Sequence, residues 1–369
     1  MKFREFIDVR DGTHSSPKSV KKGYHLVTTK NLKMNYIDFS KSNIISNTDF
    51  EKINRRSKVE QYDILLSMIG TVGNVYQERH KSINYAIKNI ALLKFHGDEL
   101  LSDWMNYFLQ SMVGHNLITS RLSGSTQQFI SLNDLRNLEI ELPSRSKMKE
   151  IITPLMIIDR KMMSNKQIND NLDELLTTIF EEKVNSPKFS QRNLTDIANY
   201  RNGLAMQKFR PDNDQESMPV LKIKELNQGY TDGTSDRCSA NIDPSVIVKI
   251  GDIIFSWSGT LLVKNWSGKT AGLNQHLFKV TSENYPDWFI YEWTKHHLRR
   301  FQSIAAGKAT TMGHIKRKDL KDSTVYIPDN SYLTELDRRM KPIYNKRLEI
   351  IKENQELNNL RQALLQKYF

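Results

Sequence analysis

Tyr62-Asp63-Ile64-Leu65-Leu66-Ser67-Met68-Ile69-Gly70-Thr71 is answered 189 residues later by Gly251-Asp252-Ile253-Ile254-Phe255-Ser256-Trp257-Ser258-Gly259-Thr260. Each copy has an Asp lead-in, a short apolar run, a serine and then Gly-Thr, the pattern of a buried strand that ends in a turn. Further landmarks follow in the same order. Asp103-Trp104 matches Asp287-Trp288 at an offset of 184, and Thr126, Ile130, Asp134-Leu135 and Leu142-Pro143 match Thr311, Ile315, Asp319-Leu320 and Ile327-Pro328 at 185. Ordered landmarks with so little drift indicate an internal duplication, with halves at about 1–183 and 184–369.

Both halves share a coarse plan. Short β-rich runs (Tyr24 to Thr28 and Ile64 to Ile69; Pro219 to Ile223 and Ile253 to Ser256) lie between Gly, Asn and Asp turn signals. A helix follows, for which Ser102-Asp103 and Pro286-Asp287 are the expected openings, with Asp as the cap. Then come a Gly-containing polar loop (124–128; 307–313), a helical turn and a strand ending at Leu142-Pro143 or Ile327-Pro328. The predicted fold class is therefore α+β, as two duplicated domains of mixed α/β structure.

A long amphipathic helix closes each half. Ile151, Ile158, Leu172 and Ile179 recur at heptad spacing, with Leu155, Met162 and Leu176 at the partner position, the a/d seam of a coiled coil. The repeat offset predicts a second seam at Leu336, Ile343, Ile350, Leu357 and Leu364, and places Asn169 and Asn354 at equivalent d-type sites where they are expected to meet across an antiparallel pair. Arg347 and Arg361 also fall on d-type sites and make the second seam imperfect. The expected segments are a domain at 1–147, a helix at 148–183, a domain at 184–330 and a helix at 331–369. Pairing is preferred over two helices each lying on its own domain, because matched narrow apolar stripes can bury one another. A helix of about 33 residues spans ~50 Å at ~1.5 Å per residue, more than the ~34–36 Å of one DNA turn.

The 369 residues, 38% hydrophobic and 26% charged, exclude a collagen-like, wholly disordered or disulfide-scaffold chain. No stretch approaches the ~20 apolar residues of a membrane span, and Met1-Lys2-Phe3-Arg4-Glu5 does not open an export signal, so a cytoplasmic location is expected. Cys238 is the single cysteine, which excludes an internal disulfide and a cysteine-rich zinc site. The net charge of +12 is shared as +6 over 1–150, −2 over 151–183, +5 over 184–330 and +3 over 331–369, so the two globular segments hold nearly all of it. A polyanionic partner follows.

Enzyme signatures are thin. The chain contains no Gly-x-x-x-x-Gly-Lys-Ser/Thr phosphate loop, no Gly-x-Ser-x-Gly elbow, no His-Glu-x-x-His and no Asn/Asp-Pro-Pro-Tyr run. His296-His297 are adjacent and point to different helix faces, a poor metal pair. No metal or catalytic residue is expected in the chain.

Asp11-Gly12-Thr13-His14-Ser15-Ser16-Pro17-Lys18, Val27-Thr28-Thr29-Lys30-Asn31, Met68-Ile69-Gly70-Thr71-Val72-Gly73-Asn74 and Ala86-Ile87-Lys88-Asn89-Ile90-Ala91-Leu92 together resemble the target-recognition domains of type I restriction-modification specificity subunits. The resemblance covers essentially the whole chain. It implies two DNA-recognition domains separated by two long antiparallel coiled-coil helices, each reading half of a split target in double-stranded DNA. It also implies docking of two adenine methyltransferase subunits, with restriction subunits in the full complex. S-adenosylmethionine, ATP and Mg²⁺ would sit on those partners and no cofactor on this chain, a DNA-reading scaffold without catalysis. The alternative is a self-contained methyltransferase or nuclease that carries its own recognition domains; a further alternative is a protein-binding scaffold with a basic surface. The chain departs from the family in having Arg145-Ser146-Lys147-Met148 where a Gln usually follows the Leu-Pro step, and Arg201-Asn202-Gly203-Leu204 in place of a second Asp-Gly-Thr-His.

DNA readers need cations for phosphates and paired donors and acceptors for base edges. The polar loops supply Arg121, Ser123, Ser125, Thr126, Gln127 and Gln128 in the first half, and Lys308, Thr310, Thr311, His314, Lys316 and Arg317 in the second. Thr13, His14, Lys18, Lys30, Lys88 and Asn89, with Lys222, Lys224, Asn274 and Gln275, complete the expected DNA-binding set. Asp11-Gly12 could equally form a tight turn with capping neighbours. Gly70-Thr71 and Gly259-Thr260 read as shared backbone turns, and Trp257, Trp266 and Trp288 as core. Helix–helix contacts are expected at Ile158, Asn169, Leu172, Ile179, Ile343, Ile350, Asn354, Leu357 and Leu364.

Overall fold

The computed structural model describes residues 1–124, 127–211, 216–307 and 313–369. They form two compact units, Met1–Arg160 with Asn359–Phe369, and Lys161–Asn358. No helix among the described residues is long and apolar enough to cross a membrane.

In the first unit, the apolar run Ile64–Ser67 is fully buried at the centre of a four-stranded antiparallel sheet. It pairs with Ile90–Lys94 on one side and Val75–Gln77 on the other, and Asp8–Asp11 closes the edge beside Ile90–Lys94. A second sheet sets Tyr24–Thr28 antiparallel to Asn43–Ile45 and parallel to Tyr85–Lys88. The helix Glu99–Gln110 packs its Trp104, Met105 and Phe108 into the first sheet's core.

The second unit repeats this topology. Ile253–Ser256 is again buried, between Leu277–Thr281 and Val263–Asn265, with Asn199–Asn202 at the edge beside Leu277–Thr281. Ser217–Leu221 again runs parallel to its cross-over partner, here Ala271–Leu273. The helix Asp287–His296 buries Trp288, Phe289 and Trp293. The duplication inferred from isolated landmarks thus extends to the strand order and direction of the four-stranded antiparallel sheet, while the second sheet of this unit gains Ile247–Val248 beside Ala271–Leu273.

The expected openings of these helices are corrected. The first starts at Glu99, and Asp98 is the cap, its side chain accepting the Leu101 N–H. Ser102 and Asp103 lie inside the helix, buried, where both accept from the Gln77 amide at 2.7 and 2.8 Å. The second starts after Pro286, with Asp287 in the first turn and no side-chain cap.

The long helices run Arg145–Lys183 and Asn330–Tyr368. In the first unit Met148, Ile151, Ile152 and Leu155 share a core with Leu364, Leu365, Tyr368 and Phe369. In the second, Leu176, Ile179 and Phe180 share one with Leu336, Met340 and Ile343. Ile158 and Ile350 are buried; Leu172 and Leu357 are half-buried. One expectation fails. Asn354 meets Asn165, not Asn169: the Asn165 Nδ2 donates to Asn354 Oδ1 at 2.9 Å and to Glu353 at 2.8 Å, while the buried Asn169 Oδ1 has no hydrogen-bond partner. The arginines do interrupt the apolar seam, as ion-paired side chains, and Arg347 Nη1 is buried without a hydrogen-bond partner. Arg361 Nε donates to Asp159 at 2.7 Å, Arg347 Nε lies 3.3 Å from Asp173, and the two side chains are only 10% and 8% exposed.

Candidate nucleic-acid interface

In the first unit the site starts from a close crossing of backbone. A Cβ on Gly12 would lie 2.5 Å from the Ile87 carbonyl oxygen, so only glycine lets the edge strand reach the end of the parallel strand. Thr13 N–H then donates to Ile87 O at 3.0 Å, and Asn89 N–H to Thr13 O at 3.2 Å. Asn89 takes a left-handed turn, with φ of 53°. The side chains reinforce this knot. His14 Nδ1 is 2.8 Å from Asn89 Oδ1 and its Nε2 is 2.8 Å from Asp11 Oδ2, while buried Asp11 also takes Arg56. Both nitrogens of His14 are engaged within the protein, which places His14 as a support for the loop. Lys88 donates to Ser16 in the same knot.

Beside it, a second assembly forms around the turn after the central strand. Gly70 has a φ of 77°, its N–H donates to Gln128 O at 3.2 Å, and Ile130 N–H donates to Met68 O at 3.0 Å. The polar loop is thereby pinned to the strand end. The structure brings Lys30, Asn89 and Gln127 together on one groove of about 840 Å³, which Lys33, Lys41, Asn43 and Thr71 also line. Its carboxylate, Asp38, is held below the usual range by hydrogen bonds from the Ser40 side chain and backbone. Thr13 and His14 line a separate cleft of about 290 Å³ with Lys52 and Arg56. Arg121, Gln128 and Lys18 are exposed and line neither groove, and Ser125 and Thr126 lie outside the described residues.

The second unit rebuilds the same backbone with other side chains. A Cβ on Gly203 would lie 2.2 Å from Leu273 O, and Leu204 N–H donates to that carbonyl at 2.9 Å. Gly259 has a φ of 63° and its N–H donates to Gly313 O at 2.9 Å; Ile315 N–H donates to Trp257 O at 3.0 Å. Trp257 is half-buried, between the rings of His276 and His314 at 5.7 and 6.3 Å, and its Nε1 donates to Asn202 Oδ1 at 3.1 Å. Trp266 and Trp288 are core.

Several second-half candidates prove to be engaged elsewhere. Lys222 is paired with Asp236, and Lys224 donates to Thr234 at 2.9 Å with Asp232 nearby. Asn274 is buried and accepts the His276 N–H at 3.2 Å, a turn-building role; Gln275 is half-buried against His276. Lys316 is exposed and precedes a short helix, where its N–H meets Asp319. Arg317 sits over the Phe278 ring at 5.7 Å and lines a different cavity. Lys308, Thr310 and Thr311 lie outside the described residues.

Sequence reasoning missed Lys33, Lys41, Lys52 and Arg56 in the first unit, and Asn202 and His276 in the second. The cluster of lysines and asparagines between Thr28 and Asn43 was a usable signal for the first two. Among the described residues, no group of three or more His, Cys, Asp or Glu could hold a metal ion.

Comparison with known proteins bears on this geometry. The family model for the type I restriction modification DNA specificity domain matches twice, at residues 11–174 and 188–360. The chain is 22% identical over 304 residues to the type I restriction enzyme MjaIX specificity subunit of Methanocaldococcus jannaschii, across 73% of this chain and 68% of that protein. It is 24% identical over 178 residues to the EcoBI specificity subunit of Escherichia coli, across 47% of this chain and 36% of that protein. The crystal structure of a type I restriction-modification S subunit from M. genitalium has the same fold, with a TM-score of 0.50 at 15% identity, over all of this chain and 95% of that one.

Proposed function

We propose a function from one premise: the chain belongs to the type I restriction-modification DNA specificity family, whose domain it carries twice. It is a specificity subunit. Our reading is that each unit recognises one half of a bipartite target in double-stranded DNA. Two methyltransferase subunits dock on the long helices and the adjoining domain faces, and restriction subunits join in the full complex. Catalysis, S-adenosylmethionine, ATP and Mg²⁺ belong to those partners, and the assembly works in the cytoplasm.

One observation carries this reading. Both units use a glycine crossing, a Gly-Thr turn and a loop pinned to the strand end to present different side chains at corresponding positions, Met68, Lys88 and Phe129 in one and Trp257, Asn274 and His314 in the other. A common frame with unlike faces suits two readers of unlike sequences. Reading both halves multiplies discrimination, since each wrong base pair costs ~1–3 kcal/mol.

The test exchanges residues 1–145 for the same region of a relative and sequences the modified adenines. Modification should change in one half of the target only; a change in both halves would refute modular reading. The rival, a self-contained enzyme, predicts that purified chain modifies or cuts DNA when given Mg²⁺ and S-adenosylmethionine, where our reading predicts no product.

A further inference from the structure

The helix Asn47–Ser57 borders a cationic cleft that lies outside the recognition groove. Ser46 caps this helix by accepting the Asp49 N–H at 3.1 Å, and Ile53 anchors it in a core with Leu26, Ile45 and Ala86. Asp49, Lys52, Ile53, Arg56 and Ser57 follow helical spacing on one face, which forms one wall of the cleft of about 290 Å³. The other wall is the loop from Thr13 to Pro17. A single buried carboxylate ties the walls together. Asp11, 6% exposed, holds His14 of the loop through one oxygen and Arg56 of the helix through the other, and Arg10 Nη1 donates to Arg56 O at 3.0 Å. Lys52 is exposed and pairs with none of the described residues. The carboxylate that lines the cleft, Asp49, accepts the Ser46 hydroxyl at 2.7 Å.

We propose that this cleft seats one backbone phosphate of the DNA, held by Lys52, Arg56 and Ser16, and that it positions the first unit on the duplex without reading a base. The donors suit an anionic oxygen. Ser16 accepts from Lys88, which leaves its own O–H to donate. Arg56 commits one nitrogen to Asp11 and its side chain is still 66% exposed, so further N–H groups remain for a ligand. Asp11 offsets the charge of Arg56, and Lys52 is therefore the cation that the protein leaves uncompensated. Because Asp11 already braces loop and helix, the seat needs no ordering when a phosphate arrives. The cleft is also coupled to the recognition groove: Asn89, which lines that groove, donates its N–H to Thr13 O in the loop wall. A phosphate fixed here would set how the strand lies against Lys30 and Gln127, the division between positioning and reading that DNA-binding proteins use. The second unit has no such helix. There Arg237–Ser239, which pairs antiparallel with Ser217–Leu221 as Asn43–Ile45 does with Tyr24–Thr28, leads to the three-residue turn Pro244–Val246. The seat thus belongs to one half-site, and it rests on the reading of DNA proposed above.

The experiment titrates the full chain, with its methyltransferase partner, onto duplexes carrying the target identified from its modified adenines. Lys52→Gln should make the fall of log affinity with log salt shallower by ~0.9, the value of one phosphate contact, and weaken specific and unrelated duplexes by the same factor. Single backbone phosphates are then replaced by neutral methylphosphonates. One position at the half-site read by the first unit should cost wild type affinity and cost the Lys52→Gln variant nothing further. An unchanged salt slope, an altered base preference, or the lack of any such position, as a cleft that takes only a free anion would give, overturns the seat. A wild-type chain that binds all duplexes alike would instead refute the sequence reading on which the seat rests.

Discussion

Glu292 and His297 make the second unit's stability depend on pH in opposite directions, and replacing one of them separates the two effects. Glu292 is 1% exposed; Thr177 donates to its Oε2 at 3.0 Å, Lys295 stands 4.0 Å from Oε1, and Oε1 has no hydrogen-bond partner. Burial outweighs these contacts and lifts the carboxyl from 4.5 to about 7. Burial likewise pushes the His297 imidazole from 6.5 down to about 4, although its Nε2 donates to Thr324 O at 2.8 Å. Folded Glu292 keeps a proton that the unfolded chain releases. Its contribution is therefore fully present below pH 4.5 and lost as the pH rises through about 7. Folded His297 gives up a proton that the unfolded chain keeps, so its contribution is present above pH 6.5 and lost as the pH falls through about 4. At ~1.4 kcal/mol for each tenfold change in proton affinity, each displacement is worth about 3 kcal/mol. Across pH 4.5 to 6.5 one effect falls while the other rises, and they largely offset. Glu292→Gln removes the falling one, so the stability of the variant relative to wild type should climb by about 3 kcal/mol between pH 4.5 and 8. Urea unfolding at a series of pH values measures it. Tryptophan emission reports chiefly on this unit, which holds Trp257, Trp266, Trp288 and Trp293 of the five tryptophans. Parallel stability curves for variant and wild type would refute the reasoning.

Two further outcomes follow from the recognition faces. Gly203→Ala forces a Cβ to within 2.2 Å of the Leu273 carbonyl, and Gly12→Ala to within 2.5 Å of Ile87; each should cost ~1–3 kcal/mol or more, because backbone must retreat. Thermal melts of each variant measure this, and Gly233→Ala, where nothing lies within 4 Å, should be neutral in them. Gln127→Ala with Gln128→Ala should weaken binding of the specific target by ~1–3 kcal/mol for each bidentate hydrogen-bonded pair that the two amides make with base edges. Nonspecific binding in the same titration should hold, and equal weakening on all sequences would demote both glutamines to a role at the DNA backbone.

Much of the frame was legible because it is written in local chemistry. Ile64–Ser67 and Ile253–Ser256 announce themselves as apolar runs ending in glycine turns, and the heptad seams fix the long helices. What stayed hidden depends on partners distant in sequence. Nothing near Lys222 or Lys224 reveals that Asp236 and Asp232 fold back onto them. Nothing near His14 shows that Asn89, 75 residues on, engages its second nitrogen. The pairing of Asn169 with Asn354 failed for a related reason. The repeat offset says which positions are equivalent, but which residues of two facing helices meet depends on what crosses between them, and there Asn165 is the residue that reaches Asn354. Trp257 departs from a core reading because it occupies the strand-end position of Met68, where the loop returns and leaves half the ring uncovered.

The two units within one chain separate what the fold requires from what recognition can vary. Gly12 and Gly203, Gly70 and Gly259, and the returns of Ile130 and Ile315 onto the strand ends keep the same backbone bonds in both units. At the surface those bonds support, Lys88 and Asn274 hold corresponding places in the fold, yet Lys88 is half-buried and donates to Ser16, whereas Asn274 is buried and accepts the His276 N–H. Backbone hydrogen bonds and glycine crossings are indifferent to the side chains they present, so the presented set can be exchanged at little cost to stability. On the proposed function, the recognised bases should therefore diverge readily between relatives by substitution on the loops.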